Sequence, residues 1–156
     1  QDSIQIYEAM VKTGNDVLDT ILTEKSLACK ENNIVVSCVA DGKGLEFLHP
    51  IDLYTIFGNA MDNAIECVKN LQKQEKRQID VLIHRQHQFL IVQIMNPVEE
   101  ELEFEDNLPV TTKHDKAYHG YGLRSIKNSV KKYNGVFQVK IKDGCFCLKI
   151  LFPIKE

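Results

Sequence analysis

Two pairs of β-like segments constrain this chain more than any other feature. Residues 79–84 and 89–95 are separated only by residues 85–88, and residues 136–141 and 145–152 by a link centred on Asp143-Gly144. Links this short make hairpins and cannot hold a crossover helix, so each pair is antiparallel. The link at 85–88 has no glycine, which leaves its turn type open. A repeated strand–helix–strand pattern with an all-parallel, doubly wound sheet is therefore disfavoured.

Helical patterns precede the hairpins. Leu53, Ile56, Phe57, Ala60, Met61, Ala64, Ile65 and Val68 recur with a 3.6-residue period behind Pro50, which predicts a long helix from Pro50 to about Leu71. Residues 69–77 are charged and polar, a solvated loop. Upstream, Ile4, Tyr7 and Val11 at helical spacing make 2–12 a short helix or the tail of one. Thr13-Gly14-Asn15 breaks it, and Asn15 or Asp16 caps a second helix running to about Asn32. Residues 34–39 alternate as a strand, and Asp41-Gly42-Lys43-Gly44 is a turn. Residues 97–119 start acidic and show no period, which in a compact domain marks a functional or mobile loop. Gly120-Tyr121-Gly122 then leads into a helix over 123–133, stopped by Asn134-Gly135. The order α-α-β-α-β-β-loop-α-β-β predicts an α+β, two-layer sandwich.

Composition narrows the partners. The 156 residues suit one domain, and a net charge of -3 with a pI near 6.0 implies no basic face for nucleic acid or anionic membrane. The five cysteines are odd in number and none has the C-x2-C spacing of a zinc site, so Cys29, Cys38, Cys67, Cys145 and Cys147 are read as reduced, buried or half-buried thiols in a cytosolic compartment. Cys145 and Cys147 would share one face of a strand. No run of about 18 apolar residues and no signal peptide appears. The abrupt start at Gln1 reads as a piece of something longer. G-x-S-x-G and H-E-x-x-H are absent, and His49, His84, His87, His114 and His119 all fall in loops, a hairpin or the 97–119 stretch, more as solvent-facing or structural groups than catalytic ones.

Three constellations carry chemistry. Asn59 and Asn63, at i and i+4, share a flank of the apolar stripe with Asp62 beside them. Amide oxygens there suit a hard cation such as Mg2+, although two amides bonding a neighbouring loop would look the same. Gly120 and Gly122 at a helix start would let backbone N–H groups approach an anion, and a loop-to-helix junction is the plainer alternative. Thr111, Thr112, Lys113 and Lys116 stand just ahead, where a lid could close on phosphates.

Taken in this order and spacing, the chain resembles the ATP-binding domain of the GHKL superfamily over about residues 15–154. Leu53-x-x-Ile56-x-x-Asn59-x-x-Asp62-Asn63-Ala64-Ile65 resembles that family's N box. Gly120-x-Gly122-Leu123-x-Ser125-Ile126, then Val130 and Asn134-Gly135, resembles its second glycine box, and the closing hairpin to Phe152-Pro153-Ile154 fits too. The resemblance implies the Bergerat fold: a mixed, mostly antiparallel sheet on about three helices, with a flexible ATP lid. Hydrolysing members carry a Glu where this chain has Asn59, and an amide cannot act as a general base. The pattern is that of sensor histidine kinases, which position ATP for transfer to a histidine on a separate domain.

One departure refines it. Most histidine kinases have Asp-x-Gly-x-Gly after the central hairpin, whereas this chain has Asn96-Pro97-Val98. This resembles the atypical, Agr-type kinases of peptide-pheromone quorum sensing in Gram-positive bacteria, which share Asp-Asn-Ala-Ile-Glu (Asp62 to Glu66) and a Thr-Lys pair (Thr112-Lys113). By this resemblance Asn63 ligates Mg2+ and Asn59 supports the metal or phosphates. Asn96 accepts from adenine, the backbone at Gly120, Gly122 and Leu123 cradles phosphates, and Lys113 reaches them. No residue of the chain is itself assigned as catalytic. The expectation is a catalytic domain (15–156), with 1–14 the remnant of the connection to a dimerisation and phosphoacceptor domain. It lies on the cytoplasmic side of an integral membrane receptor that is a homodimer and passes phosphate to a cognate response regulator. Alone it should not autophosphorylate. The alternatives are a degenerate GHKL interaction module or a GHKL ATPase.

Overall fold

The computed structural model describes residues 4–6, 12–99, 103–105, 108–110 and 116–155, with the backbone alone given at 4–6, 103–105, 108–110 and 116–120. Its main sheet has six strands: β1 (Ile4–Ile6), β2 (Val35–Ala40), β3 (Gln78–Gln86), β4 (Phe89–Pro97), β7 (Val136–Lys142) and β8 (Cys145–Pro153), in the order β1-β2-β3-β4-β8-β7. Only β2 and β3 are parallel neighbours; every other pairing is antiparallel. The crossover between the parallel strands is helical: α2 (Pro50–Leu53), a π turn (Tyr54–Gly58) and α3 (Asn59–Val68). With α1 (Asp16–Glu31) and α4 (Lys116–Lys131) these helices make the second layer. The two-layer α+β sandwich is the predicted architecture.

Alternation decides which face meets the helices. Leu90, Val92, Ile94 and Asn96 of β4 are buried, as are Phe146, Leu148, Ile150 and Phe152 of β8. Paired strands align these residues, because cross-strand partners share a face. The helices contribute Ile21, Leu22, Ile56, Phe57, Met61 and Ile126 to the same core. Each fully buried aliphatic or aromatic side chain contributes about 1.5–3 kcal/mol.

Local signals were read correctly at several ends. Asn15 accepts from Leu18 N at 3.0 Å and caps α1. His49 precedes Pro50 and accepts from Ile51 N at 3.1 Å through Nδ1. The glycine-free hairpin turn is solved by His87, which takes the left-handed region at φ 56°.

Three expectations need correction. Residues 4–6 of the predicted first helix form β1 and pair antiparallel with β2, because Ile4 and Ile6 alternate as well as they repeat helically and β2 presents an open edge. The remaining 2–3 and 7–11 lie outside the described residues. The helix from Pro50 ends at Val68, not Leu71, and is interrupted by the π turn. The 97–119 stretch is not structureless: β5 (Glu103–Glu105) and β6 (Leu108–Val110) pair as a hairpin, and α4 already begins at Lys116.

A polar clamp ties α2 to the far end of α4. Asp52, 5% exposed, accepts from Lys132 Nζ at 3.0 Å and from the Tyr133 hydroxyl. That hydroxyl accepts in turn from His49 N at 3.0 Å. The Tyr133 ring packs edge-on against Phe47 and Phe152. The hydroxyl donor, with Lys132 beside it, holds the Asp52 carboxyl below its usual range despite burial. Burial and the Asp52 carboxylate push Tyr133 up.

The pH signs follow. A lowered carboxyl pKa stabilises the fold above the unfolded value of about 4 and loses that contribution as pH falls through the folded value. A raised phenol pKa loses its contribution as pH rises above about 10. Tyr133→Phe keeps the ring packing, removes the hydroxyl and is expected to cost about 1–2 kcal/mol at neutral pH. Urea denaturation from pH 7 downward should show the gap between wild type and variant narrowing below about pH 4; a gap of constant size would contradict the assignment.

Candidate functional site

The π turn widens the helix just ahead of Asn59. Thr55 O receives the Asn59 backbone N–H and also its side-chain Nδ2, at 2.7 Å. That second bond fixes the orientation of the side-chain amide. Oδ1 faces Gly122 of α4: a Cβ placed there would stand 3.3 Å from it. Two motifs more than fifty residues apart in sequence thus meet, and they meet where a side chain is missing.

Asn63 lies one turn further along α3, 9% exposed. Among the described residues its side chain makes no hydrogen bond. The carboxylates of the same helix are engaged elsewhere. Asp62 pairs with Lys25 of α1 at 2.8 Å, and Glu66 pairs with Lys69 at 2.6 Å. The side chains that α3 brings to the α4 side at Asn59 and Asn63 are therefore neutral amides.

Cys67 continues the i, i+4 ladder from Asn63. Burial raises its thiol, and a hydrogen bond with the Asn96 side chain partly offsets that. This contact locates Asn96 beside the C-terminal half of α3. Asn96 ends the buried row of β4, is 1% exposed and faces Phe146 across the ladder. Its Nδ2 donates to Pro97 O at 3.0 Å, while its Oδ1 is buried without a partner. An acceptor left in that state costs about 1–3 kcal/mol. Cys67 was read from sequence only as a buried thiol; its spacing four beyond Asn63 was the signal that it belonged to the ladder.

The glycines differ from expectation. Gly120 and Gly122 lie inside α4 instead of at its start, because Lys116, Ala117, Tyr118 and His119 contain no breaker and extend the helix backward. Inside a helix each N–H is directed to the carbonyl four residues back. The free N–H groups of α4 belong instead to its first turn, from Lys116. Leu123 puts its side chain in the core at 1% exposure, so only its backbone remains for a ligand. Lys113 lies outside the described residues.

Two hollows flank the sheet ends. One of about 390 Å3 is lined by Lys76, Asp80, Asn96, Pro97 and Cys145. Another, of about 880 Å3, lies between Lys43, Phe47, Arg85, Leu90 and Ile154. The second is separated from Asn96 by most of β4, about 20 Å.

This arrangement matches a known family. The model of the GHKL domain matches residues 48–153, from ahead of α2 to the end of β8. No curated protein matches the chain in sequence. Among solved structures, the histidine kinase AdeS of Acinetobacter baumannii superposes with a TM-score of 0.65 at 14% identity, covering 90% of this chain. The chain spans only 64% of that protein. A nucleotide-free form of the catalytic domain of histidine kinase ThkA superposes with a TM-score of 0.61 at 14% identity, covering 98% of this chain and 97% of that one. At this identity the structural likeness speaks for the fold. With the family match covering more than half of its length, the chain belongs to the GHKL family of ATP-binding domains.

Proposed function

We propose that this chain is the ATP-binding catalytic domain of a sensor histidine kinase, which positions Mg-ATP for phosphoryl transfer to a histidine on a separate domain. The observation that carries the reading is the pairing of two unfilled features at opposite ends of one ladder. At one end the Asn59 oxygen faces the bare Cα of Gly122. At the other, Asn96 Oδ1 is a buried acceptor with no donor. An adenine amino group is a donor of the required kind, and amide oxygens are hard ligands of the kind Mg2+ takes. The residues present therefore fit the nucleotide and its metal.

In this reading Asn63 and Asn59 hold Mg2+ and orient the phosphates, and Asn96 selects adenine. The N–H groups of Gly120, Gly122 and Leu123 hold phosphate oxygens, and Lys113 adds charge from the lid. Mg2+ bound with ATP would neutralise the phosphate charge. The glycine N–H groups become free only if α4 opens back to Leu123. Two glycines make that inexpensive, since each weakens a helix by about 1 kcal/mol relative to Ala. A transferase is favoured over a hydrolase because Asn59 cannot take a proton from water and Asp62 and Glu66 are held in ion pairs.

The finer reading is a kinase of the quorum-sensing, Agr-type class. It rests on Asn96-Pro97, on the run Asp62 to Glu66 and on Thr112-Lys113. In that setting residues 1–14 lead to the dimerisation and phosphoacceptor domain of a homodimeric membrane receptor. The phosphate then passes to a response regulator, and the domain faces the cytoplasm.

Titration of ATP with and without Mg2+ tests the site. Asn63→Ala should lose the Mg-dependent part of binding, and absence of binding at millimolar nucleotide would favour an interaction module instead. Fast steady-state hydrolysis by the chain alone would favour an ATPase. Asn96→Leu removes an unsatisfied acceptor, so it should hold or raise thermal stability while weakening ATP about tenfold or more. A loss of stability with unchanged affinity would make Asn96 merely structural. Gly122→Ala should also split the two readouts. Helix propensity favours it by about 1 kcal/mol, yet its methyl would crowd Asn59 Oδ1 and reduce Mg-ATP affinity.

A further inference from the structure

The face of the sheet turned away from the helices carries sulfur in one small area. Cys145 and Cys147 are both half-buried and alternate with buried Phe146, so their thiols share that face. Two residues along a strand span about 6.6 Å, within reach of a bridging ion once both side chains lean together. Across the ladder, Met95 is the direct partner of Cys147 and is also half-buried. Cross-strand partners hold their Cβ atoms about 4.5–5.5 Å apart. Cys145 also lines the hollow of about 390 Å3, so the sulfur area is open to solvent.

We propose that Cys145, Cys147 and Met95 form a binding site for a soft, thiophilic metal ion of the copper(I) class. Two thiolates and a thioether are the donor set such ions select over harder ones. Among the described residues no cluster of three or more His, Cys, Asp or Glu is placed to hold a metal. The third donor here is the thioether of Met95.

The surrounding charges fit a bis-thiolate complex, which is an anion. Lys140 stands opposite Cys147 and Lys142 opposite Cys145 on β7, with Lys149 two residues beyond Cys147 on β8. Asp80 of β3, opposite Met95, lines the hollow beside Cys145 together with Glu75 and Asp143 and opposes that positive balance. Binding breaks two S–H bonds, forms two thiolate–metal bonds and one thioether–metal bond, and releases two protons to water. The ion stays monovalent, so no oxidant or reductant takes part.

Competition for copper(I) against bathocuproine disulfonate under anaerobic, reducing conditions tests this on the whole chain. The wild type should withdraw one equivalent. Cys145→Ser and Cys147→Ser should each weaken binding by about 100-fold or more, and Met95→Leu by about tenfold. Cys29→Ser, in α1 on the helical side of the sheet, should leave copper(I) affinity unchanged. X-ray absorption on the loaded wild type should find a sulfur-only shell, which is a readout independent of how the variants fold. No withdrawn copper, a nitrogen or oxygen shell, or wild-type affinity in the Cys145→Ser/Cys147→Ser double variant would each overturn the proposal.

Discussion

Helices α3 and α4 approach one another at Asn59 and Gly122 so closely that a Cβ on Gly122 would stand 3.3 Å from the Asn59 oxygen. The layout of the site depends on that approach. It brings the amide ladder of α3 against the segment that carries the glycine box. The clamp of Asp52 with Lys132 and Tyr133 ties α2, ahead of α3 in the chain, to the C-terminal end of α4.

Much of the fold was legible because the hairpins and the apolar stripe are short-range, periodic signals. Asn15, Pro50 and Gly135 announced their boundaries for local reasons: a cap, a fixed φ and a close approach to Val130. What escaped was set by tertiary context. Three residues at Ile4–Ile6 carry too little pattern to distinguish strand from helix, and only the open edge of β2 decides it. The π turn has no sequence signature at Tyr54–Gly58, and it changes how Asn59 is aimed. The start of α4 was placed too late because two glycines read as a boundary, when Leu123, Ile126 and Val130 anchor the helix strongly enough to carry them inside it.

The candidate amides could be named from sequence by residue type but not by state. Sequence could offer Asn59, Asn63 and Asn96 as amides at suitable spacing. It could not show that Asn59 has its nitrogen tied to Thr55 O, or that Asn96 holds its oxygen buried and unpaired. Those states make the amides directional. An Asn on a surface rotates to suit any neighbour, whereas the bonds from Nδ2 fix how these two side chains are turned.

Directional but uncharged groups set the character of the proposed site. A carboxylate at Asn96 would be an unpaired charge at 1% exposure, and burying such a charge costs far more than burying an amide. The amide avoids that cost in the empty fold and gives up the stronger, charge-assisted hydrogen bond in the filled one. The same exchange applies at Asn59, where a carboxylate could take a proton and an amide cannot. Both substitutions lower the electrostatic stake of the site in the absence of nucleotide. In the proposed site the burden of holding a polyanion would fall on the metal and on the positive end of a helix dipole.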